Sequence, residues 1–263
     1  MTAALAGRRA LVTGAARGVC RAFAEALARA GVDVALCDVR PEVTDVASRI
    51  DGPGRAFGVG ADIARDADVV RLIDTVVSEF GRLATLVACA AVWRRTPVTD
   101  EFDKARDDYR AIMDTNLRGT LMVARACVPH IVAAGGGDIV LVGSHDVLPA
   151  RDASTNGADT DIYTASNWAL NGFVQAWALA LARKKVRVNA LCVGPTDTPM
   201  LREQVDAGLH PGTTPIAPEA IAAQLMALLN EGPDGRTGEN LAFRPGEPMV
   251  IGSRKPVHRS VTG

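Results

Sequence analysis

Short apolar runs alternate along the chain with longer segments in which apolar residues recur every three or four positions. The short runs predict strands at 9–13, 32–38, 55–60, 83–91, 138–142, 186–193 and 240–243. The longer segments predict helices at 19–30, 66–80, 107–134 and 163–183. This alternation implies right-handed crossovers, and hence a doubly wound parallel sheet of the α/β class with helices on both faces. Because no linker, repeat or change of composition divides the chain, we expect a single domain over residues 1–263.

Composition and charge narrow the classes of function. Of the 263 residues, 48% are hydrophobic and 22% are charged, which is typical of a folded protein rather than a disordered one. The 29 Lys and Arg are balanced by 30 Asp and Glu, so neither nucleic acid nor an anionic membrane is an expected partner. No apolar stretch is long enough to span a bilayer, and the first residues do not follow a secretory signal pattern. These features predict a cytoplasmic protein.

The cysteines and histidines do not follow the spacing of a metal site. Five cysteines stand one by one in apolar runs without a Cys-x-x-Cys pair, and the four histidines have no ligand spacing. We therefore expect no metal, and we predict that the cysteines are buried, reduced thiols in a reducing compartment. They are Cys20, Cys37, Cys89, Cys127 and Cys192.

A glycine-rich turn joins the first predicted strand to the first predicted helix. Gly14 and Gly18 would let the backbone approach a pyrophosphate, which the free N–H groups at the helix N-terminus would bind. Asp38 ends the second strand, where it would accept hydrogen bonds from the adenosine ribose and repel a 2′-phosphate. Arg17 and Arg40 flank this region and would favour a 2′-phosphate instead. We expect NAD rather than NADP.

The later motifs follow an order that resembles the short-chain dehydrogenase/reductase family over essentially the whole chain. Asp62-Ile63 resembles the pair beside the adenine ring, and 193–198 resembles the stretch that holds the nicotinamide carboxamide. The resemblance implies a Rossmann-like fold and a catalytic group of Asn116, Ser144, Tyr163 and Asn167. The cofactor contacts that it implies are Gly14, Arg17, Gly18, Val19, Asp38, Asp62, Ile63, Ala90, Tyr163, Asn167, Gly194, Thr196 and Thr198.

The resemblance also implies a reaction and an assembly. The reaction is NAD-dependent interconversion of a secondary alcohol and a ketone, in which Ser144 orients the substrate oxygen and Tyr163 transfers its proton. Asn116 would position a water or the backbone of its helix, and Asn167 would contact the ribose. The small residues of the last long helix, such as Ala176, are expected to allow close helix approach in a homodimer or homotetramer.

Three positions depart from the family pattern. Cys20 stands where the third glycine of the turn is expected, and 88–91 reads Ala-Cys-Ala-Ala where the family has Asn-Asn-Ala-Gly. Asn167 stands four residues after Tyr163, where the family has a lysine. Residues i and i+4 share a helix face, so the amide points where the lysine would. It can bond a ribose hydroxyl, but it carries no charge to lower the pKa of the tyrosine.

Four interpretations of Asn167 remain open at this point. Tyr163 acts as a neutral acid, or its ionisation is aided by the cationic ring of the cofactor. His145 takes over proton transfer, since an unperturbed imidazole pKa near 6.5 suits that task. The fold serves a non-redox elimination or isomerisation, or it binds a nucleotide without turnover. An engineered change from lysine is also compatible with the sequence.

Two further segments are expected to border the substrate. The polar residues 151–161 connect Ser144 to Tyr163, and about 198–218 corresponds to a mobile substrate lid that its prolines would restrict to a hinged turn. Trp93 and Met200 are candidates for contact with an apolar or ring-bearing substrate. The tail, about 244–263, is expected to pack at subunit contacts.

Overall fold

The described part of the chain forms one eight-stranded sheet. The computed structural model describes residues 5–147, 159–208, 214–244 and 247–252. The order across the sheet is β3-β2-β1-β4-β5-β6-β7-β8; β1 to β7 are parallel, and β8 is antiparallel to β7. The strands are β1 (Arg9–Thr13), β2 (Asp33–Asp38), β3 (Ala56–Gly60), β4 (Thr85–Ala88), β5 (Gly137–Ser144), β6 (Val186–Val193), β7 (Glu239–Arg244) and β8 (Glu247–Gly252).

Eight α-helices connect the strands within these described ranges. They are α1 (Gly18–Arg29), α2 (Val43–Ser48), α3 (Asp66–Phe80), α4 (Phe102–Ile112), α5 (Thr120–Ala133), α6 (Asp161–Leu181), α7 (Pro199–Asp206) and α8 (Pro218–Asn230). A π-helical segment, Met113–Gly119, joins α4 to α5. None of the helices in these ranges is long and apolar enough to cross a membrane.

Alternating side chains of the strands fill a core on each face of the sheet. Leu11, Leu86 and Ile139 belong to the layer that contains α3, α5 and α6. Their strand neighbours Val12 and Val140 point the other way, into the layer that contains α1, α2 and α8. The predicted fold class, a doubly wound parallel sheet with helices on both faces, is confirmed.

The strand order positions the site. From β1 the chain moves outward to β2 and β3, and then returns to β4 on the opposite side of β1. The carboxyl ends of β1 and β4 therefore flank a crevice where the connections diverge, which is where open α/β sheets bind their ligands.

The structure differs from the sequence prediction in several elements. The helix predicted over 107–134 starts earlier, at Phe102, and the π-helical segment interrupts it. Part of the lid, expected as a hinged turn, is the helix α7. Residues 247–252 of the predicted tail form β8. Residues 151–158 of the predicted polar loop and 209–213 of the lid lie outside the described residues.

Candidate active site

A cavity of about 450 Å³ occupies the crevice at the carboxyl ends of β1 and β4. Its wall includes the glycine turn, the ends of β2, β4 and β5, one face of α6 and the start of α7. The predicted site residues that line it are Gly14, Arg17, Gly18, Val19, Asp38, Asp62, Ile63, Ala90, Tyr163, Asn167 and Thr198. Residues predicted for cofactor binding and for catalysis thus share one cavity.

The glycine turn lies tightly against the end of β4. Gly14 has φ +74°, and a Cβ on it would lie 2.8 Å from the Ala90 Cα, so only glycine fits there. The Thr13 hydroxyl oxygen accepts hydrogen bonds from the backbone N–H groups of Cys89, at 3.0 Å, and Ala90, at 3.1 Å. These contacts hold the turn so that Gly18 and Val19, the first residues of α1, line the cavity.

Asp38 presents a buried carboxylate at the end of β2. The residue is 8% exposed, and its two carboxylate oxygens accept the backbone N–H groups of Ala16, at 3.0 Å, and Arg40, at 2.9 Å. These bonds fix the carboxylate between the glycine turn and the residues after β2. Arg17, on the same turn, forms an ion pair with Glu203 of α7, with 3.6 Å between Nη1 and Oε1.

The segment after β3 forms the next part of the wall. The Asp62 backbone N–H donates to the Asp68 carboxylate at 2.9 Å, and the Asp62 carboxylate accepts the Ala64 N–H at 3.0 Å. The Asp62 N–H, followed by the Arg71 guanidinium, holds the pKa of Asp68 below its usual value. These bonds connect the turn around Asp62 to the first turn of α3.

Tyr163 and Asn167 lie one turn apart on the face of α6 that lines the cavity. Asn167 is 5% exposed, and its Nδ2 donates to the Tyr163 carbonyl oxygen at 2.9 Å. Its Oδ1 lies 3.3 Å from the position that a Cβ on Gly143 would occupy, beside the end of β5. One amide hydrogen is therefore used within the helix, and the other hydrogen and Oδ1 are the groups left for a ligand.

Four predicted residues are not part of the cavity wall formed by the described residues: Asn116, Ser144, Gly194 and Thr196. Asn116 accepts the Val92 N–H at 2.8 Å and donates to the Val92 carbonyl at 2.9 Å, so it holds a residue of the wall. Ser144 is buried at the end of β5. The Thr196 hydroxyl donates to the Gly194 carbonyl at 2.8 Å and thereby closes the turn after β6.

Several residues of the wall were not predicted as site residues, and the most informative is Glu203. Its partner, Arg17, is distant in sequence, and only the position of α7 brings the two charges together. Val142, Gly143 and Thr115 also line the cavity, as do Trp93 and Met200, which were predicted as substrate contacts.

The prediction that all five cysteines are reduced thiols is wrong for two of them. Cys20 and Cys89 form a disulfide, with their Cα atoms 6.0 Å apart, and both line the cavity. The other three are buried free thiols. Burial raises the pKa of Cys37 and of Cys192 to about 12, and it raises that of Cys127 as well. No metal-binding group of three His, Cys, Asp or Glu side chains occurs within the described ranges.

Comparison with known proteins agrees with the fold. The family model of the short chain dehydrogenases matches residues 8–208. The chain is 34% identical over 202 residues to the cis-4-hydroxycyclohexanecarboxylate dehydrogenase of Sinomonas cyclohexanicum, covering 76% of this chain and 78% of the relative.

Two similar solved structures contain a nicotinamide dinucleotide. The 3-ketoacyl-(acyl-carrier-protein) reductase of Brucella melitensis, complexed with NADH, has a TM-score of 0.80 at 25% identity. The match covers 92% of this chain and 98% of the reductase chain. A short chain dehydrogenase of Burkholderia cenocepacia, in complex with NADP, has a TM-score of 0.79 at 29% identity with the same coverage of both chains.

The chain belongs to the short-chain dehydrogenase/reductase family, as the order of its motifs predicted, and it is an oxidoreductase of that family. The glycine turn without a Cβ at Gly14, the first residues of α1 and the fixed Asp38 carboxylate fit a nicotinamide dinucleotide.

Proposed function

We propose that the protein is an NAD-dependent oxidoreductase that interconverts a secondary alcohol and a ketone. The observation that carries this proposal is that Tyr163 lines the same cavity as the glycine turn and Asp38. A proton-transferring phenol and a dinucleotide-binding turn in one cavity are what hydride transfer to or from a carbonyl carbon requires.

The buried Asp38 carboxylate supports NAD over NADP. Its position is fixed by the backbone N–H groups of Ala16 and Arg40, so a 2′-phosphate brought near it would meet a negative charge. Two arginines of the cavity wall oppose this preference: Arg17, whose guanidinium is paired with Glu203, and Arg40. One neighbouring structure contains NADH and another contains NADP, so the choice depends on this chain's own residues.

The proposed roles of the side chains combine their contacts with the roles that the family resemblance implies. When bound, the nicotinamide supplies or accepts the hydride. Tyr163, in the cavity wall, holds or takes the proton at its phenol oxygen. Ser144 is buried next to the wall residue Gly143, and its proposed role is to orient the substrate oxygen from the end of β5. Asn116 keeps Val92 in the wall, so its role is positioning. Asn167 offers Oδ1 and one N–H to a ribose hydroxyl.

Asn167 carries no charge where the family has a lysine. A neutral amide does not stabilise a phenolate as an ammonium does. We therefore propose that Asn167 itself does not promote ionisation of the Tyr163 phenol, and that the rate of alcohol oxidation, which needs a proton acceptor, increases more with pH than the rate of ketone reduction does.

A non-redox or non-catalytic function is the second candidate. The specific observation in its favour is Asn167, because part of its amide is already bonded to the Tyr163 carbonyl and it supplies no charge. A lyase or isomerase would convert substrate without consuming NADH, and a nucleotide-binding protein would bind it without turnover.

The first test combines binding with a substrate panel. NADH and NADPH are titrated into the purified protein by fluorescence, and secondary alcohols and ketones are then assayed for a change in NADH absorbance. Ring-bearing substrates come first, because Trp93 and Met200 line the cavity and a relative acts on a hydroxycyclohexane acid. Tighter binding of NADH and ketone-dependent oxidation that Tyr163→Phe abolishes are expected. Full activity in Tyr163→Phe would refute the role of Tyr163.

We also propose that residues 1–263 form one domain that assembles as a homodimer or homotetramer through α4 and α6. Exposed large side chains on these helices support the proposal: Phe102 and Tyr109 on α4, and Trp168 and Leu179 on α6. Exposed apolar side chains of this size are typical of an interface. Sedimentation of the purified protein should give two or four times the monomer mass, and Trp168→Glu should lower it.

A further inference from the structure

Two cysteines meet in the wall of the cavity at the carboxyl ends of β1 and β4. Cys20 is the third residue of α1, and Cys89 follows directly after β4. They are far apart in the sequence, yet they form a disulfide, and both line the cavity. Each occupies a position at which the chain departs from the family pattern, so the two departures join in one feature of the structure.

We propose that Cys20 and Cys89 form a reversible dithiol–disulfide pair that couples the oxidation state of the protein to dinucleotide binding. The disulfide form is the one that binds the dinucleotide more tightly. This inference rests on the proposed function, since it takes the dinucleotide as the ligand of the cavity.

The remaining cysteines are poor candidates for such chemistry. Burial raises the pKa of Cys37 and Cys192 to about 12, so these thiols stay protonated and unreactive at neutral pH. Cys20 and Cys89 differ from these thiols in geometry, because they are the two cysteines of the described residues that lie within bonding distance of each other. The Cys20 sulfur also lies 3.5 Å from the Cys89 carbonyl oxygen, which can accept a hydrogen bond from the reduced thiol.

The chemistry balances with a peroxide as oxidant. The Cys20 thiol loses its proton, and its thiolate attacks hydrogen peroxide to give a sulfenic acid and hydroxide, which takes up that proton to become water; the Cys89 thiol then displaces a second water to form the S–S bond. Two thiols thereby lose two electrons and two protons, and the peroxide becomes two waters. A small dithiol reverses the step through a mixed disulfide.

The contacts around the pair explain why its state affects binding. Sulfurs without a bond between them need a separation of about 3.5 Å or more, against about 2.0 Å in a disulfide. The start of α1 and the end of β4 cannot move apart freely, because Thr13 accepts the N–H groups of Cys89 and Ala90. Gly14 also lies directly against Ala90. Behind the sulfurs is the packed core of the α1, α2 and α8 layer. Reduction therefore turns a sulfur toward the cavity, beside the glycine turn.

The test is a titration of NADH into protein oxidised with diamide and into protein reduced with a phosphine. We expect the dissociation constant of NADH to be lower for the oxidised protein than for the reduced protein, by a factor of about five or more. Cys20→Ala and Cys89→Ala should each abolish the difference between the two treatments. Cys127→Ala, a buried thiol outside the cavity wall, is the matched control and should retain it.

A reciprocal measurement gives an independent readout. If the disulfide favours NADH, NADH must favour the disulfide by the same factor. Intact mass after alkylation, in a glutathione redox buffer, should show a larger disulfide fraction when NADH is present. Equal dissociation constants in both states, or a response that persists in Cys20→Ala, would overturn the inference and leave the proposed function standing. Absence of NADH and NADPH binding in both states would overturn the proposed function itself, and the coupling with it.

Discussion

Asn167 is a neutral side chain one turn after Tyr163 on the cavity face of α6, so it brings no charge to this face of the helix. Its Nδ2 donates to the Tyr163 carbonyl, so the amide fixes the backbone of this turn as well as offering groups to a ligand. A residue at this position therefore acts on the geometry of the turn and on the charge of the site at once. These two effects can be separated by substitution.

Asn167→Lys should increase alcohol oxidation at neutral pH. An ammonium beside the phenol stabilises the phenolate, and each unit by which it lowers the tyrosine pKa gives about a tenfold larger phenolate fraction below that pKa. The alkaline limb of the pH profile should move to lower pH accordingly. The measurement is kcat/KM for oxidation between pH 6 and pH 10.

Asn167→Gln is the matched control, since it keeps a neutral amide and changes only its reach. It should leave the pH profile at its original position. A loss of activity in Asn167→Lys without a shift of the profile would mean that the site is organised around the amide.

Glu203→Gln should increase the affinity for NADPH more than that for NADH. The change releases the Arg17 guanidinium, which is then available to a 2′-phosphate. Because the pair is largely exposed, the gain is expected to be about fivefold at most, and it should decrease with salt. Asp206→Asn, an exposed acid on the same helix, is the control for a loss of charge on α7. An equal gain for both cofactors would argue against a phosphate contact by Arg17.

At the scale of elements, the strands were easier to predict than the helices. Strands such as β1, β4 and β6 are short runs of mostly buried residues, and the prediction of β1 and of Val186–Val193 agrees with the structure residue by residue. The short helices α2 and α7 were not predicted, because six to eight residues give too few turns for a periodic pattern. The longer helix α8 was not predicted either. The strand β8 was not predicted, because it depends on pairing with β7 rather than on its own pattern.

The hydrogen bonds between the end of β1 and the end of β4 hold the glycine turn in position. Thr13→Val should therefore weaken both folding and dinucleotide binding. The substitution keeps the shape of the side chain but leaves the Cys89 and Ala90 N–H groups without their acceptor, at a cost of about 1–3 kcal/mol in the free energy of unfolding. Urea unfolding and NADH titration measure the two effects.

Thr13→Ser keeps the hydroxyl and is the control for this change. It should retain most of the affinity for NADH, with only the loss expected for a buried methyl group. If Thr13→Val and Thr13→Ser bind NADH equally well, the bonds to β4 are not needed to hold the turn.

At the scale of the whole molecule, the site is formed by residues from Gly14 to Glu203 that only the completed sheet brings together. Motifs with local geometry, such as the glycine turn and the Tyr163 helix, were predictable because each lies on a single strand–helix unit. The Cys20–Cys89 pair and the Arg17–Glu203 pair were not, because each joins segments that are distant in sequence. The sequence alone therefore predicted eleven residues that line the cavity, but not the links between distant segments.

The pH dependence of the free energy of unfolding is a property of the whole molecule. We expect the buried carboxyl of Glu239 to contribute to it. This residue is 6% exposed at the start of β7, and its Oε2 has no hydrogen-bond partner among the described residues. Burial raises the pKa of its carboxyl, with a smaller opposing effect from Arg236 and a supporting one from Glu231.

Glu239→Gln should stabilise the protein at neutral pH but not in acid. The folded state binds the Glu239 proton more tightly than the unfolded state does, so wild-type stability is lost as pH rises from the unfolded pKa through the folded one. The glutamine variant has no such loss. The difference in free energy of unfolding between the variant and the wild type should therefore increase as the pH rises from the unfolded pKa to the folded pKa, and then stay constant. The measurement is the free energy of unfolding in urea between pH 4 and pH 8, with the exposed loop acid Asp51→Asn as the control. An advantage that does not change with pH would show that the carboxylate is solvated in the folded protein.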